Sequence, residues 1–186
     1  MIMGVKTILV AGIDESIIAS GYPMVTNIED AEFSLERAKR LGSAPSGSGH
    51  DTFLKGCKVW FDVIAPVYWW PQLQRYGHID FISSQSSMHK ITEMDFDEIF
   101  SCDVSERSRQ AADEAVDCYE NEMWIIDELM ANMPQGQLKG ARLVTNYLQL
   151  KTIYNQRKGH KLKMWREEFC PWILTLPRFV ELTGVK

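Results

Sequence analysis

Apolar and polar positions change period several times along the chain, and each change marks an expected element. Residues 5–11 form a short apolar run closed by Gly12, which predicts a buried strand. Asp14 is placed to cap a short helix over 15–20, which Gly21-Tyr22-Pro23 ends. Asn27 reads as an N-cap with Glu29 and Asp30 in the favourable first turn, and that helix is expected to reach about Leu41 and stop at Gly42. In residues 57–64 the apolar side chains Val59, Trp60, Phe61, Val63 and Ile64 are almost continuous, which predicts a strand covered on both faces. Pro66 suits the first turn of a helix over roughly 67–76. Residues 77–90 keep no clear period, and Ser83-Ser84-Gln85-Ser86-Ser87 is too polar for a core element. Residues 95–100 suggest a short acidic helix or turn. Residues 105–131 then give the longest helical pattern, with Ala112, Val116, Tyr119, Met123, Ile126 and Met130 in one stripe. A loop over 134–140, a helix over 143–154 and one or two helical pieces over 165–182, broken at Pro171 and Pro177, complete the expectation.

Composition narrows this to one domain over 1–186. Hydrophobic residues make up 45 % and charged residues 24 %, a globular balance with enough length for a substantial core. The net charge of -5 argues against a nucleic-acid partner, which selects for a basic face. No apolar run approaches the roughly 20 residues that cross a bilayer, so no membrane partner is expected. The short apolar N-terminal run lacks the length and cleavage site of a signal peptide. A cytoplasmic location is therefore expected. Cys57, Cys102, Cys118 and Cys170 are scattered without a CxxC pair, which suggests free, mostly buried thiols rather than a zinc site or disulfide framework.

Three polar clusters carry the candidate chemistry. Gln72, Gln74 and Arg75 are followed by His78, Asp80, Ser83, Ser84, Gln85, Ser86, Ser87 and His89. An arginine there can grip a phosphate, and neutral side chains can read a base or a sugar. The same set would also suit a polar surface loop. Asn155, Arg157, His160 and Trp165, interleaved with Lys158, Lys161 and Lys163, form a second cluster that is equally compatible with a solvated basic helix end. His50-Asp51 follows the Gly/Ser-rich stretch 42–49, which reads either as a linker or as an active-site loop.

The order and spacing of these clusters resemble the flavin-dependent thymidylate synthases. Gly49-His50-Asp51-Thr52-Phe53 precedes a strand, and Ala65-Pro66 opens a helix. Gln72 stands three residues before Arg75, Pro134 twelve before Asn146, and Asn146 eleven before Arg157, with Asn155 and His160 alongside. The likeness covers two blocks, 50–89 and 134–165. Where the family carries Arg-His-Arg this chain has Arg75-Tyr76-Gly77. Where it carries a glutamate, a serine and an arginine this chain has Ser83, Gln85 and Ser87.

The resemblance implies an α/β fold of the α+β type, with a mixed β-sheet flanked by helices. It implies reductive methylation of dUMP to dTMP with methylenetetrahydrofolate, FAD and NADPH. Gln72, Arg75, Ser83, Gln85, Ser87 and Arg157 would hold dUMP or a related pyrimidine nucleotide, and Arg157 would polarise the base as the catalytic group. His50, His78, Asn155 and His160 would lie on the flavin side. A homotetramer is implied as well. The altered residues 83–87 leave room for a different modification, such as hydroxymethylation of another pyrimidine nucleotide, and the lost basic pair for an inactive nucleotide-binding protein.

Overall fold

A computed structural model of the chain describes residues 2–186, apart from the side chains of Ser87, His89, Phe96 and Asp97. In chain order the elements are β1 (Gly4–Ala11), α1 (Ile13–Ala19), α2 (Leu35–Gly42), β2 (Lys58–Pro66), α3 (Trp70–Leu73) and β3 (Asp80–Ser84). Then follow α4 (Ser87–Lys90), α5 (Phe96–Ile99), α6 (Glu106–Glu120), α7 (Ile126–Asn132), β4 (Leu138–Asn146) and α8 (Tyr147–Arg157). A π-helical turn (Met164–Phe169), α9 (Cys170–Leu174) and α10 (Phe179–Thr183) complete the chain. The strands form one sheet in the order β1-β2-β4-β3, antiparallel at every pairing. The α+β class is as expected, with antiparallel pairing where a mixed sheet was anticipated.

β2 alternates, and this corrects the expectation of a strand covered on both faces. Val59, Phe61, Val63 and Ala65 are buried, while Trp60, Asp62 and Ile64 on the other face are only half-buried. Helices α8, α9 and α10, the π turn and the α1–α2 region pack on the inner face. There Phe61 meets Phe169 and Trp172, with ring centroids 6.0 and 4.8 Å apart. The outer face has no such cover among the described residues. Cross-strand rows run Leu9–Trp60–Val144 and Lys6–Asp62–Arg142–Ser83 across it. Leu9 is 52 % and Ile82 48 % exposed, so this face presents apolar side chains around a central charged pair.

Several boundaries differ from the sequence expectation. The helix from Asn27 is only a 3-10 turn, Ile28–Asp30, which Asn27 caps; α2 starts afresh with Ser34 as its N-cap. The helix expected over 67–76 reduces to a 3-10 turn, Val67–Trp69, and the short α3. The helix expected over 105–131 is two. It breaks after Glu120, with Glu122 in the left-handed region at φ 57, and restarts as α7, where the Glu128 carboxylate accepts from the Ile125 N–H. The break throws Met123 into solvent, while Leu129 joins Ala112 and Ala115 in a small second core with Ile91, Ile99, Phe100 and Met133.

The main correction concerns β4, which occupies ground assigned to a loop and the start of a helix. It is a central strand, and Asn146 ends it by accepting from the Gln149 N–H to cap α8. The serine-rich segment holds β3, an edge strand exposed along its length. All four cysteines are free. Two are buried, Cys118 is half-buried and Cys102 is exposed, so "mostly buried" holds for only part of the set. Among the described residues, no helix is long and apolar enough to cross a membrane.

Candidate functional site

The end of α8 and the turn after α3 converge on one guanidinium. Arg157 donates through Nε to the Tyr76 hydroxyl at 2.8 Å and through Nη1 to Gln72 Oε1 at 3.4 Å. The Tyr76 hydroxyl in turn donates to Gln156 Oε1 at 3.0 Å. Gln72 Oε1 also accepts from the Trp165 indole at 3.0 Å. The guanidinium lies over the Trp165 ring, 5.1 Å from its centroid, and 5.7 Å from that of Tyr76. Its acceptors are neutral, and no carboxylate pairs with it among the described residues. Such a cation keeps its full charge and retains N–H groups for an anionic ligand.

The site rests on aromatic packing. Trp165 is fully buried and packs tilted against Trp69 at 4.6 Å and edge-on to Phe169 at 5.2 Å, centroid to centroid. The π turn presents Trp165 and closes with the Cys170 N–H on the Trp165 carbonyl, one residue wider than an α-turn. His160 stands 6.5 Å from Trp165, ring to ring, and its Nδ1 accepts from the Leu162 N–H at 3.1 Å. Its pKa lies below the ordinary value, first through desolvation, then through the charges of Arg157 and Lys161. A neutral His160 with Nδ1 so engaged carries its proton on Nε2.

Gln72 is thus brought from a distant sequence position to Arg157, with His160 set against the shared Trp165. The remaining candidates fall elsewhere. Arg75 and His78 are exposed, and His78 contributes its carbonyl to Thr145 Oγ1 at 2.7 Å. Ser83 and Gln85 lie at the β3 edge. Gln85 Oε1 accepts from the Gly140 N–H at 2.8 Å, and both line a hollow of 710 Å³ over the outer sheet face, beside Asp62 and Arg142. Ser87 falls on a side chain outside the described residues. Asn155 borders a 310 Å³ hollow whose other wall includes Ser43 to Ser46, so the Gly/Ser stretch is a loop against α8 rather than a linker. His50 is exposed on the same loop.

Three further contacts were not foreseen. Tyr76 appeared only as a departure from a motif, yet it holds Arg157. Lys151 is 4 % exposed and donates to Asp51 Oδ2 at 2.8 Å and to the Gly42 and Ala44 carbonyls. The sequence signal was a lysine flanked by the apolar residues Leu148, Leu150, Ile153 and Tyr154. Arg142 grips Asp62 through two bonds of 2.7 and 2.8 Å and holds its carboxyl below the usual range. That pair shows only once the β2–β4 register is known.

No protein-family model matches this sequence, and no curated protein matches it. The fold is that of the flavin-dependent thymidylate synthases. Two crystal structures of the Helicobacter pylori enzyme ThyX, complexed with FAD and dUMP, superpose with TM-scores of 0.79 and 0.80 at 16 % identity. They cover 97 % and 98 % of this chain and 97 % of their own. The UMP/dUMP methylase PolB from Streptomyces cacaoi, bound with 5-Br dUMP, superposes with a TM-score of 0.68 at 12 % identity, over 97 % of this chain and 91 % of its own.

Proposed function

We propose that this chain is a flavin-dependent enzyme that methylates dUMP to dTMP, with methylenetetrahydrofolate as one-carbon donor and NADPH as reductant. The observation that carries the reading is the Arg157 clamp. Two residues from separate stretches of a sequence pattern, Gln72 and Arg157, meet through a hydrogen bond in a fold otherwise seen in dUMP-binding enzymes.

Arg157 is the catalytic group. Its guanidinium, held in place and uncompensated by a carboxylate, stabilises negative charge that develops on a carbonyl oxygen of the base. Gln72 and Tyr76 fix its plane, and the Trp165 face excludes water beneath it. Arg75 offers an exposed guanidinium for the phosphate. Ser83, Gln85 and Ser87 complete the nucleotide pocket from another copy of the chain, and the apolar outer sheet face packs the copies into a homotetramer. By the family resemblance, FAD would be held by His160 with its Nε2 proton, by Asn155 beside the 43–46 loop, by His50 on that loop and by His78. When bound and reduced, FAD supplies the hydride. Tyr76 and Gly77 stand where the family pattern has two cations, so the flavin here is held mainly by neutral donors.

The visible absorbance spectrum of the purified protein, with and without dUMP, tests the reading. Flavin peaks that respond to dUMP are expected, together with tritium release from 5-³H-dUMP that falls at least about 100-fold in Arg157→Ala. A colourless protein that takes up no added FAD overturns it.

A further inference from the structure

Two buried side-chain polar atoms among the described residues have no hydrogen-bond partner, Trp69 Nε1 and Ser101 Oγ. Trp69 is enclosed by the rings of Trp70, Trp165 and Phe169. Ser101 instead lines a hollow of 390 Å³ at the start of α6, with Tyr68, Asp103, Ser105, Ser108 and Gly136. Ser101 is 6 % exposed, and its backbone is already spent. The N–H donates to the Gly136 carbonyl at 3.0 Å, and the carbonyl accepts from the Val104 N–H and from Arg109 Nη2, both at 3.0 Å. Only the hydroxyl is left over. A buried donor without an acceptor is costly, so it calls for a group to satisfy it. A Cβ at Gly136 would press on Val104 and sit 3.1 Å from the Ser101 hydroxyl, so the bare glycine keeps that hydroxyl open to the hollow.

The other donors come from the helix end. α6 has 15 residues, enough for its aligned peptide dipoles to leave positive charge at the N-terminus. The Ser105 side chain accepts from the Ser108 N–H at 3.3 Å, and the first-turn N–H groups of Glu106 and Arg107 have no acceptor within the helix. The Ser105 and Ser108 hydroxyls lie 2.9 Å apart. Whichever of them donates to the other, one hydroxyl hydrogen remains. Burial and then the Asp103 charge push the Tyr68 phenol up, so it too keeps a proton to donate. Asp103 is the one acid in the lining among the described residues, and Lys163 Nζ holds it at 2.7 Å, which offsets its charge. Hydroxyl and N–H donors thus converge where the helix dipole favours an anion.

From this convergence we infer that the hollow binds a phosphoryl group, free or carried by a small ester. Its oxygens accept from the Ser101 hydroxyl, from the Ser105–Ser108 pair and from the first-turn N–H groups of α6. Arg157, Gln72 and Tyr76 take no part, so this site does not rest on the dUMP reading.

Inorganic phosphate and glycerol 3-phosphate are the probes for the full-length protein, with glycerol and sodium chloride at matched ionic strength as controls. Binding is read from the backbone amide NMR signal of Arg107 in ¹⁵N-arginine-labelled protein, assigned by Arg107→Lys, and from the Tm. The expected result is a saturable downfield shift of that amide with either phosphate, and a rise in Tm that chloride does not give. Tighter binding of the ester marks an ester as the source of the group, and equal binding marks the free ion. Ser101→Ala weakens phosphate about tenfold, as loss of one charge-assisted contact requires. The same variant does not lower the Tm in phosphate-free buffer, since the lost hydroxyl had no partner. Ser105→Asp and Ser105→Asn both keep a good helix cap, and they serve if the first variant does not fold: Ser105→Asp abolishes the phosphate shift by repulsion, and Ser105→Asn retains it. Arg157→Ala leaves the shift unchanged, so this site and the proposed nucleotide site stand or fall separately. Absence of a saturable shift, an equal effect of chloride, equal binding by the two Ser105 variants, undiminished binding by Ser101→Ala, or loss of binding in Arg157→Ala overturns the inference.

Discussion

Replacing Lys151 by methionine tests how the loop beside α8 is held. The ammonium has three acceptors: Asp51 Oδ2, at 2.8 Å, and the carbonyls of Gly42 and Ala44, at 2.8 and 2.6 Å. Asp51 is 2 % exposed, so Lys151→Met strands a carboxylate away from water and removes a donor from two backbone carbonyls. Breaking one side of a buried pair costs about 3–5 kcal/mol, because the surviving charge is left uncompensated. Taking about 2 kcal/mol per molar urea for a chain of this size, the unfolding midpoint should fall by roughly 1.5–2.5 M. Asp51→Asn combined with Lys151→Met removes both charges, so its cost should be well below the sum of the single substitutions. Urea denaturation followed by tryptophan fluorescence reads all four proteins. A shift under about 0.5 M for Lys151→Met, or strict additivity in the double variant, would refute the reasoning. Limited proteolysis adds a local check: cleavage within 43–49 should accelerate in Lys151→Met under native conditions, because the anchor sits at the start of that loop.

Three other outcomes follow from the geometry. Tyr76→Phe removes the acceptor of Arg157 Nε and the donor to Gln156, and should cost about 1 kcal/mol of stability while raising the KM for dUMP; an unchanged KM would separate the clamp from nucleotide binding. The His160 pKa should lie below the ordinary value in an NMR titration and rise in Arg157→Ala, since part of the depression is that charge. A depressed histidine binds its proton more readily when unfolded, so this group erodes stability as the pH falls below about 6.5. Burial pushes the Cys57 thiol up to about 11 and the Cys170 thiol up to about 12, so a thiol reagent at pH 7 should label exposed Cys102 first and reach those two only on unfolding; rapid labelling of Cys57 or Cys170 in the native protein would contradict their burial.

How far the sequence is legible depends on the element. The existence of β1 and β2 was readable because their apolar runs are bounded by glycine or proline, but their burial was not: β1, expected to be buried, is an edge strand without a buried residue, and β2 is buried on one face only. β4 was not readable. Its inward set Ala141, Leu143 and Thr145 is weak, Gly140 and Arg142 interrupt it, and it passes into α8 with only Asn146 at the junction. Apolar spacing across such a junction imitates one helix. The break at 121–125 was hidden for a related reason: Glu122 takes a left-handed conformation that glycine would have advertised. β3 escaped notice because an edge strand with both faces in water needs no apolar alternation. In the site, linear order and spacing put Gln72 and Arg157 in one set, and a hydrogen bond joins their side chains. They could not reveal that Tyr76 would serve as Arg157's partner. They also could not place Ser83 and Gln85 on a different surface, since that depends on the sheet register.

The π turn at Met164–Phe169 bears on how this chain tolerates insertions and deletions. One extra residue within a helical turn rotates everything after it by about 100° relative to what came before. Trp165 therefore faces Gln72 and Arg157 in one phase, while Trp172, further along, faces Thr7 and Phe61 in another. Loss of a single residue at exposed Arg166 or Glu167 would restore an ordinary helix and leave one of the two tryptophans out of step. A lineage carrying this turn can substitute freely at those two surface positions, but it cannot shorten the segment there without giving up either the platform under Arg157 or the seal against β1.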